Sequence, residues 1–158
     1  MGASEEMIYL DANVFIYAAL EQGQRGAAAR EILKKVHTGQ IPAITSAITF
    51  DEIAHVVRKE SDVQRSIAAG VAFLHCNNLQ VIAVDRALLN YTLDIIKQHN
   101  LRPKDAIHYA TMCIKGIKTI ISNDADFDKI KEINRKSIEK FEKPSIESNF
   151  SKRTLTKI

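Results

Sequence analysis

The feature that most constrains the fold of this chain is a repeated pairing of a short apolar run with an amphipathic stretch of helical spacing. Apolar runs occupy residues 7–10, 41–45, 79–84 and 118–122. Between them, Ile32, Leu33 and Val36, then Ile48, Ile53, Val56 and Val57, then Leu88, Leu89, Leu93 and Ile96, recur every three to four residues, as on one helix face. Runs this short and this apolar suit strands covered on both faces. Strands that alternate with helices predict an α/β domain with a mostly parallel sheet.

Punctuation along the chain agrees. Asn13 to Leu20 reads as a helix, and Gly39 closes the next one, over 27–37. Ser46 and Asp85 are candidate helix caps. Ser61-Asp62 starts a helix whose inner face is expected to carry Val63, Ile67, Val71 and Leu74. Pro103 sits where a helix tolerates proline, in its first turn, and Gly116 stops that helix. Residues 127–130 read as a helical turn or loop, and residues 132–138 offer one more edge strand.

At 158 residues the chain suits one domain, and 46% hydrophobic residues suffice for a core. Residues 1–6 read as a loose extension, 7–142 as the domain, and 143–158 as a polar tail in which Lys152, Arg153 and Lys157 face only Glu147. A formal charge of +3 favours a nucleic-acid partner weakly. Cys76 and Cys113 lack metal-ligand spacing and read as buried small hydrophobes in a reducing compartment. No apolar run reaches membrane-spanning length, so the expectation is a cytoplasmic protein with no membrane partner.

Acidic residues fall where a parallel sheet binds ligands, beyond the carboxyl ends of its strands. Asp11 interrupts the apolar stretch "IYLDANVFIY" directly after the first strand; Asp124 and Asp126 follow "KTIISN"; Asp105 opens a helix; Glu52 lies in the helix after Ser46. Singly, each has an ordinary reading as a cap, a turn residue or a solvated helix position. Asp11, with apolar flanks on both sides, is the hardest to read that way. Three of these four segments are within reach of one sheet edge. Clustered carboxylates raise one another's pKa, and a hard divalent cation relieves the conflict. Oxygen-only ligands favour magnesium or manganese, and such a site can hydrolyse a phosphodiester.

The residues "IYLDANVFIY", "TSAITFDEIAHVV" and "RPKDAIHYATMCIKGIKTIISNDADFDKI", in this order and spacing, resemble a PIN domain, and most of all the VapC-like toxin ribonucleases of toxin–antitoxin pairs. The segment from Asp105 to Phe127 is the most specific part. The resemblance implies a three-layer α/β/α sandwich around a parallel sheet of four or five strands. It implies a metal-dependent endoribonuclease that cuts single-stranded RNA with a metal-activated water, using one or two Mg2+ or Mn2+ ions. Its acids map onto Asp11, Glu52, Asp105 and Asp124, with Asp11 and Asp105 central. Asn13, Ser122 and Asp126 fall in supporting positions, and Asp51 is expected to point elsewhere. An antitoxin protein and a homodimer are implied partners.

His108, three residues after Asp105, is expected at the pocket edge, as a satisfied helix residue or a substrate contact; His55 has the same standing beside Glu52. Arg102 and Lys104 are placed either to meet RNA phosphates or to be a solvated helix start. Arg58, Lys59 and Arg65 form a second basic group. Two other readings fit the same acids. One is a PIN-fold protein that binds RNA or a partner without cutting. The other is a magnesium-dependent phosphatase-like or receiver-like domain with Asp11 as nucleophile or phosphate acceptor.

Overall fold

The computed structural model describes residues 5–141. The basic tail and the first residues of the N-terminal extension, expected from the sequence, lie outside that range. Five strands, β1 (Ile8–Leu10), β2 (Ala43–Ser46), β3 (Leu79–Ile82), β4 (Thr119–Ile121) and β5 (Asn134–Lys136), form one sheet in the order β3-β2-β1-β4-β5. Every pairing is parallel, with Tyr9 opposite both Ile44 and Ile120. The expected edge strand is β5.

Among the described residues six α-helices cover the sheet: α1 (Ala12–Leu20), α2 (Gln24–His37), α3 (Ile48–Glu60), α4 (Val63–Leu74), α5 (Arg86–His99) and α6 (Pro103–Lys115). Alternate strand residues enter different cores, as the two-residue period of a strand requires. Ile8, Leu10, Ala43 and Ile121 pack with α1 to α4 through Val14, Ile32, Ile53 and Phe73. Tyr9, Ile44 and Ile120 pack with α5 and α6 through Leu88, Ile95, Ala110 and Met112. Because β1 is central and covered on both faces, the apolar run that spells it has no polar side.

The chain builds outward from β1 through β2 to β3, then returns to lay β4 on the other side of β1. That reversal opens a crevice between the carboxyl ends of β1 and β4, the place where sheets of this kind bind ligands. Asp11 lies directly after β1, and Ser122 to Asp124 lie directly after β4. Past the strand, the Asp11 N–H still donates to the Ile121 carbonyl, at 3.1 Å.

Local expectations held at most helix ends. Asp85 accepts from Leu88 N–H at 2.9 Å and caps α5. Arg102 takes the extended backbone that precedes a proline, with ψ 149°, and Gly116 ends α6 with φ 66°, in the left-handed region. Ser46 departs from expectation: it is the last residue of β2, and Ala47 occupies the cap position of α3. Cys76 and Cys113 are half-buried rather than buried.

The larger correction concerns α4. Val63, Ile67, Val71 and Leu74 are 45%, 55%, 51% and 63% exposed, while Gly70 and Phe73 are the buried residues of that helix. Helical spacing identified one apolar stripe, but α4 turns Phe73 toward Phe15 of α1 and Phe50 of α3 and the stripe outward. Gly70 allows this seat: a Cβ there would come within 3.0 Å of the Phe50 ring.

Candidate active site

Asp11, Asn13, Glu52, Arg102, Asp105 and Asp124 line one cavity of about 550 Å³ at the crevice between β1 and β4. All four expected acids therefore meet there, one more segment than the three anticipated. Asp51 points away, is exposed, and lies 3.6 Å from the Lys104 ammonium.

Asp11 caps α1. Its Oδ1 accepts from Ala12 N–H at 2.7 Å and its Oδ2 from the Ser122 hydroxyl at 2.5 Å. Ser122 in turn accepts from the Asn13 amide at 3.3 Å and from Asp124 N–H at 3.0 Å. Asn13 thus reaches Asp11 through Ser122. Asp11 is buried, and that burial pushes its carboxyl pKa above the ordinary value, against the opposing pull of His108 and Ser122.

Glu52 is held by His108. Nε2 of the imidazole lies 2.6 Å from Glu52 Oε1 and 3.6 Å from Asp11 Oδ1, and Nδ1 lies 2.7 Å from the Tyr9 hydroxyl. Burial raises the Tyr9 phenol well above its ordinary pKa, so it keeps its proton. A neutral imidazole then accepts from Tyr9 at Nδ1 and carries its hydrogen on Nε2; a charged one carries hydrogens on both. In either state Nε2–H donates to Glu52. Burial alone pushes the His108 pKa down, but the Glu52 hydrogen bond and the Asp11 charge outweigh it, so the net direction is upward. Of the two readings of His108 the satisfied helix residue holds, but the pocket-edge position is corrected: His108 is 1% exposed and lies beneath the acids. The available signal was its place one turn beyond Asp105 on the same helix face. His55 is exposed and joins nothing at the site.

On the opposite wall Arg102 gathers three aspartates. Its Nε lies 2.9 Å from Asp105 Oδ2, and its Nη2 lies 3.1 Å from Asp124 Oδ2 and 3.2 Å from Asp126 Oδ2. Burial raises the Asp105 pKa, and Arg102 partly offsets this. Asp124 also caps the 3₁₀ turn Ala125–Lys129 by accepting from Asp126 N–H at 2.9 Å. Asp126 belongs to the same ionic cluster but does not line the cavity.

The donor set fits a hard cation. Asp11 and Glu52, bridged by His108, offer carboxylate oxygens within 4.8 Å of one another, and so do Asp105, Asp124 and Asp126. The amide oxygen of Asn13, on the cavity wall, is buried without a hydrogen-bond partner among the described residues. Buried acids with raised pKa values beside an unsatisfied oxygen are what a divalent ion and its waters would complete.

Residues 8–133 match the PIN domain family. The chain belongs to that family. Ribonuclease VapC2 of Methanocaldococcus jannaschii is 22% identical over 138 residues, covering 80% of this PIN chain and 90% of its own. Among solved structures, the sarcin–ricin loop cleaving toxin VapC20 of Mycobacterium tuberculosis superposes with a TM-score of 0.64 at 20% identity, covering 77% of this chain and 92% of that one. A toxin–antitoxin complex from Klebsiella pneumoniae contains a chain with a TM-score of 0.56 at 22% identity, covering 80% and 95%. These structures share the PIN sandwich found here.

Proposed function

We propose that this PIN domain is a metal-dependent endoribonuclease that cuts single-stranded RNA, as the toxin of a toxin–antitoxin pair. The observation that carries the reading is the convergence of Asp11, Glu52, Asp105 and Asp124 on one cavity at the crevice between β1 and β4. The names of the similar proteins point the same way.

In this reading Asp11 and Asp105 would be the central ligands of Mg2+ or Mn2+, and Glu52 and Asp124 would bind a second ion or hold metal-bound waters. When bound, such an ion would supply Lewis-acid charge at the scissile phosphate and lower the pKa of a water so that hydroxide is available as the nucleophile. His108 holds Glu52 through Nε2–H, and Ser122 holds Asp11, so neither carboxylate needs to be ordered when substrate arrives. Asn13 donates its amide to Ser122 and so supports the same chain of hydrogen bonds to Asp11. Lys104, which also lines the cavity, would meet an RNA phosphate in this reading.

Partners follow from the outer surface. The exposed α4 stripe fits a homodimer, since a row of four large apolar side chains is costly to leave in water. A separate apolar cavity of about 440 Å³, with Phe15, Leu33, Ala69 and Phe73 in its walls, suits an apolar segment of an antitoxin. The test is incubation with single-stranded and structured RNAs in Mg2+, in Mn2+ and in chelator. Cleavage of single-stranded RNA that stops in chelator is the expected result. Binding without cleavage in every condition would favour a non-cutting PIN protein.

A further inference from the structure

We propose that Arg102 is the resident second cation of this site: its guanidinium holds the place among Asp105, Asp124 and Asp126 that a second metal ion would take. Asp11, Glu52 and the remaining oxygen of Asp105 are then left to hold a single ion. The inference rests on the metal-dependent reading above and narrows it from one or two ions to one.

The oxygens of the three aspartates are already assigned. Asp124 gives Oδ1 to Asp126 N–H and Oδ2 to Arg102. Asp126 gives Oδ2 to Arg102 and Oδ1 to Lys129, at 3.3 Å. Asp105 gives Oδ2 to Arg102, while its Oδ1 has no hydrogen-bond partner among the described residues. One oxygen of Asp105 therefore faces each use. The carboxylates that would compete for a second ion are bridged by a group that cannot release its charge by losing a proton.

The bridge is built into the backbone. Arg102 is the residue before Pro103, held extended at the start of α6, so its side chain leaves from the same turn that presents Asp105. A planar guanidinium meets several carboxylates through a fixed fork of five donors, whereas an ammonium is a flexible point charge with three. A divalent ion within about 4 Å of it would meet strong like-charge repulsion. Arg102 also keeps what a metal would offer a substrate. Its side chain is 67% exposed and its Nη1 makes no hydrogen bond among the described residues, so that donor is open to a phosphoryl oxygen.

The experiment is a calorimetric titration of the metal-free full chain with Mn2+, for the wild type and for Arg102→Gln. The wild type is expected to bind one ion per chain and Arg102→Gln a second. Two ions in the wild type, or one in a folded Arg102→Gln, overturn the inference while leaving the metal-dependent reading intact. No ion in the wild type overturns that reading itself. If Arg102→Gln does not fold, the Arg102 Nε–H signal of the wild type decides by NMR. It is expected to stay protected from exchange in saturating Mg2+, and its exposure on Mg2+ binding overturns the inference.

Discussion

His108 Nε2 lies 2.6 Å from Glu52 Oε1, and through this bond helix α6 fixes an acid carried by helix α3. The same ring accepts or donates at Nδ1 to Tyr9, so His108 joins β1, α3 and α6 beneath the cavity. His108→Ala would release Glu52 and leave the buried Tyr9 hydroxyl without that partner. The expected costs are about 1–3 kcal/mol of stability and roughly 10–100-fold in metal affinity. Denaturant unfolding and a metal titration measure the two separately. Undiminished metal affinity would show that Glu52 orders itself.

Metal stabilisation should depend on pH, with a definite sign. The Asp11, Asp105 and His108 pKa values are all raised in the metal-free fold. For each, the folded chain binds its proton more tightly than the unfolded chain. Their stabilising contribution is full below the ordinary values, about 4 for Asp and 6.5 for His, and is lost as pH rises through the raised ones. A divalent ion needs the deprotonated carboxylates, so its contribution runs the other way. The melting-temperature difference with and without Mg2+ should widen from acid to neutral pH, and less so in Asp11→Asn. A difference independent of pH would contradict this.

Asp124 and Asp126 should separate in activity. Asp124 lines the cavity and caps the 3₁₀ turn, whereas Asp126 is tied to Arg102 and Lys129 at its outer side. Asp124→Asn is expected to lose at least about tenfold in cleavage, the scale of a lost metal-supporting group, and Asp126→Asn to retain most of it. Initial rates on one RNA substrate compare them. Equal losses would make the pair a single functional unit.

The α4 stripe gives a prediction about assembly. Ile67→Glu with Val71→Glu should convert a dimer to a monomer in light scattering without lowering the melting temperature of the isolated fold. A wild type that is monomeric at high concentration would remove the homodimer from the account.

How much of this was legible in the sequence follows from which interactions are local. The order of strands and helices, the Pro103 start and the Gly116 stop depend on neighbours in the chain, and they appear where the residues say; the strand ends shift by one or two residues. Asp11, Asp105 and Asp124 were legible because each follows a strand end or opens a helix, whereas Glu52, inside α3, was legible only through the family resemblance. The orientation of α4 was not, since a 3.6-residue period reveals an apolar face without saying what covers it. Nor was the centre of the site. His108 meets Glu52 across 56 residues, and Arg102 meets Asp124 across 22. Neither spacing is periodic, so both basic groups looked like features of their own helix. In the fold each neutralises acids that arrive from elsewhere.

The most direct measurement is metal-dependent RNA cleavage by Asp11→Asn and Asp105→Asn, with unfolding of the same samples in the absence of metal. Asparagine keeps the cap geometry at the start of α1 and removes a buried charge. Asp11→Asn should therefore melt at or above the wild-type temperature without metal. Both variants should show only background cleavage in Mg2+ and in Mn2+. Cleavage at the wild-type rate by either folded variant would contradict the assignment of this cavity as a metal-dependent active site.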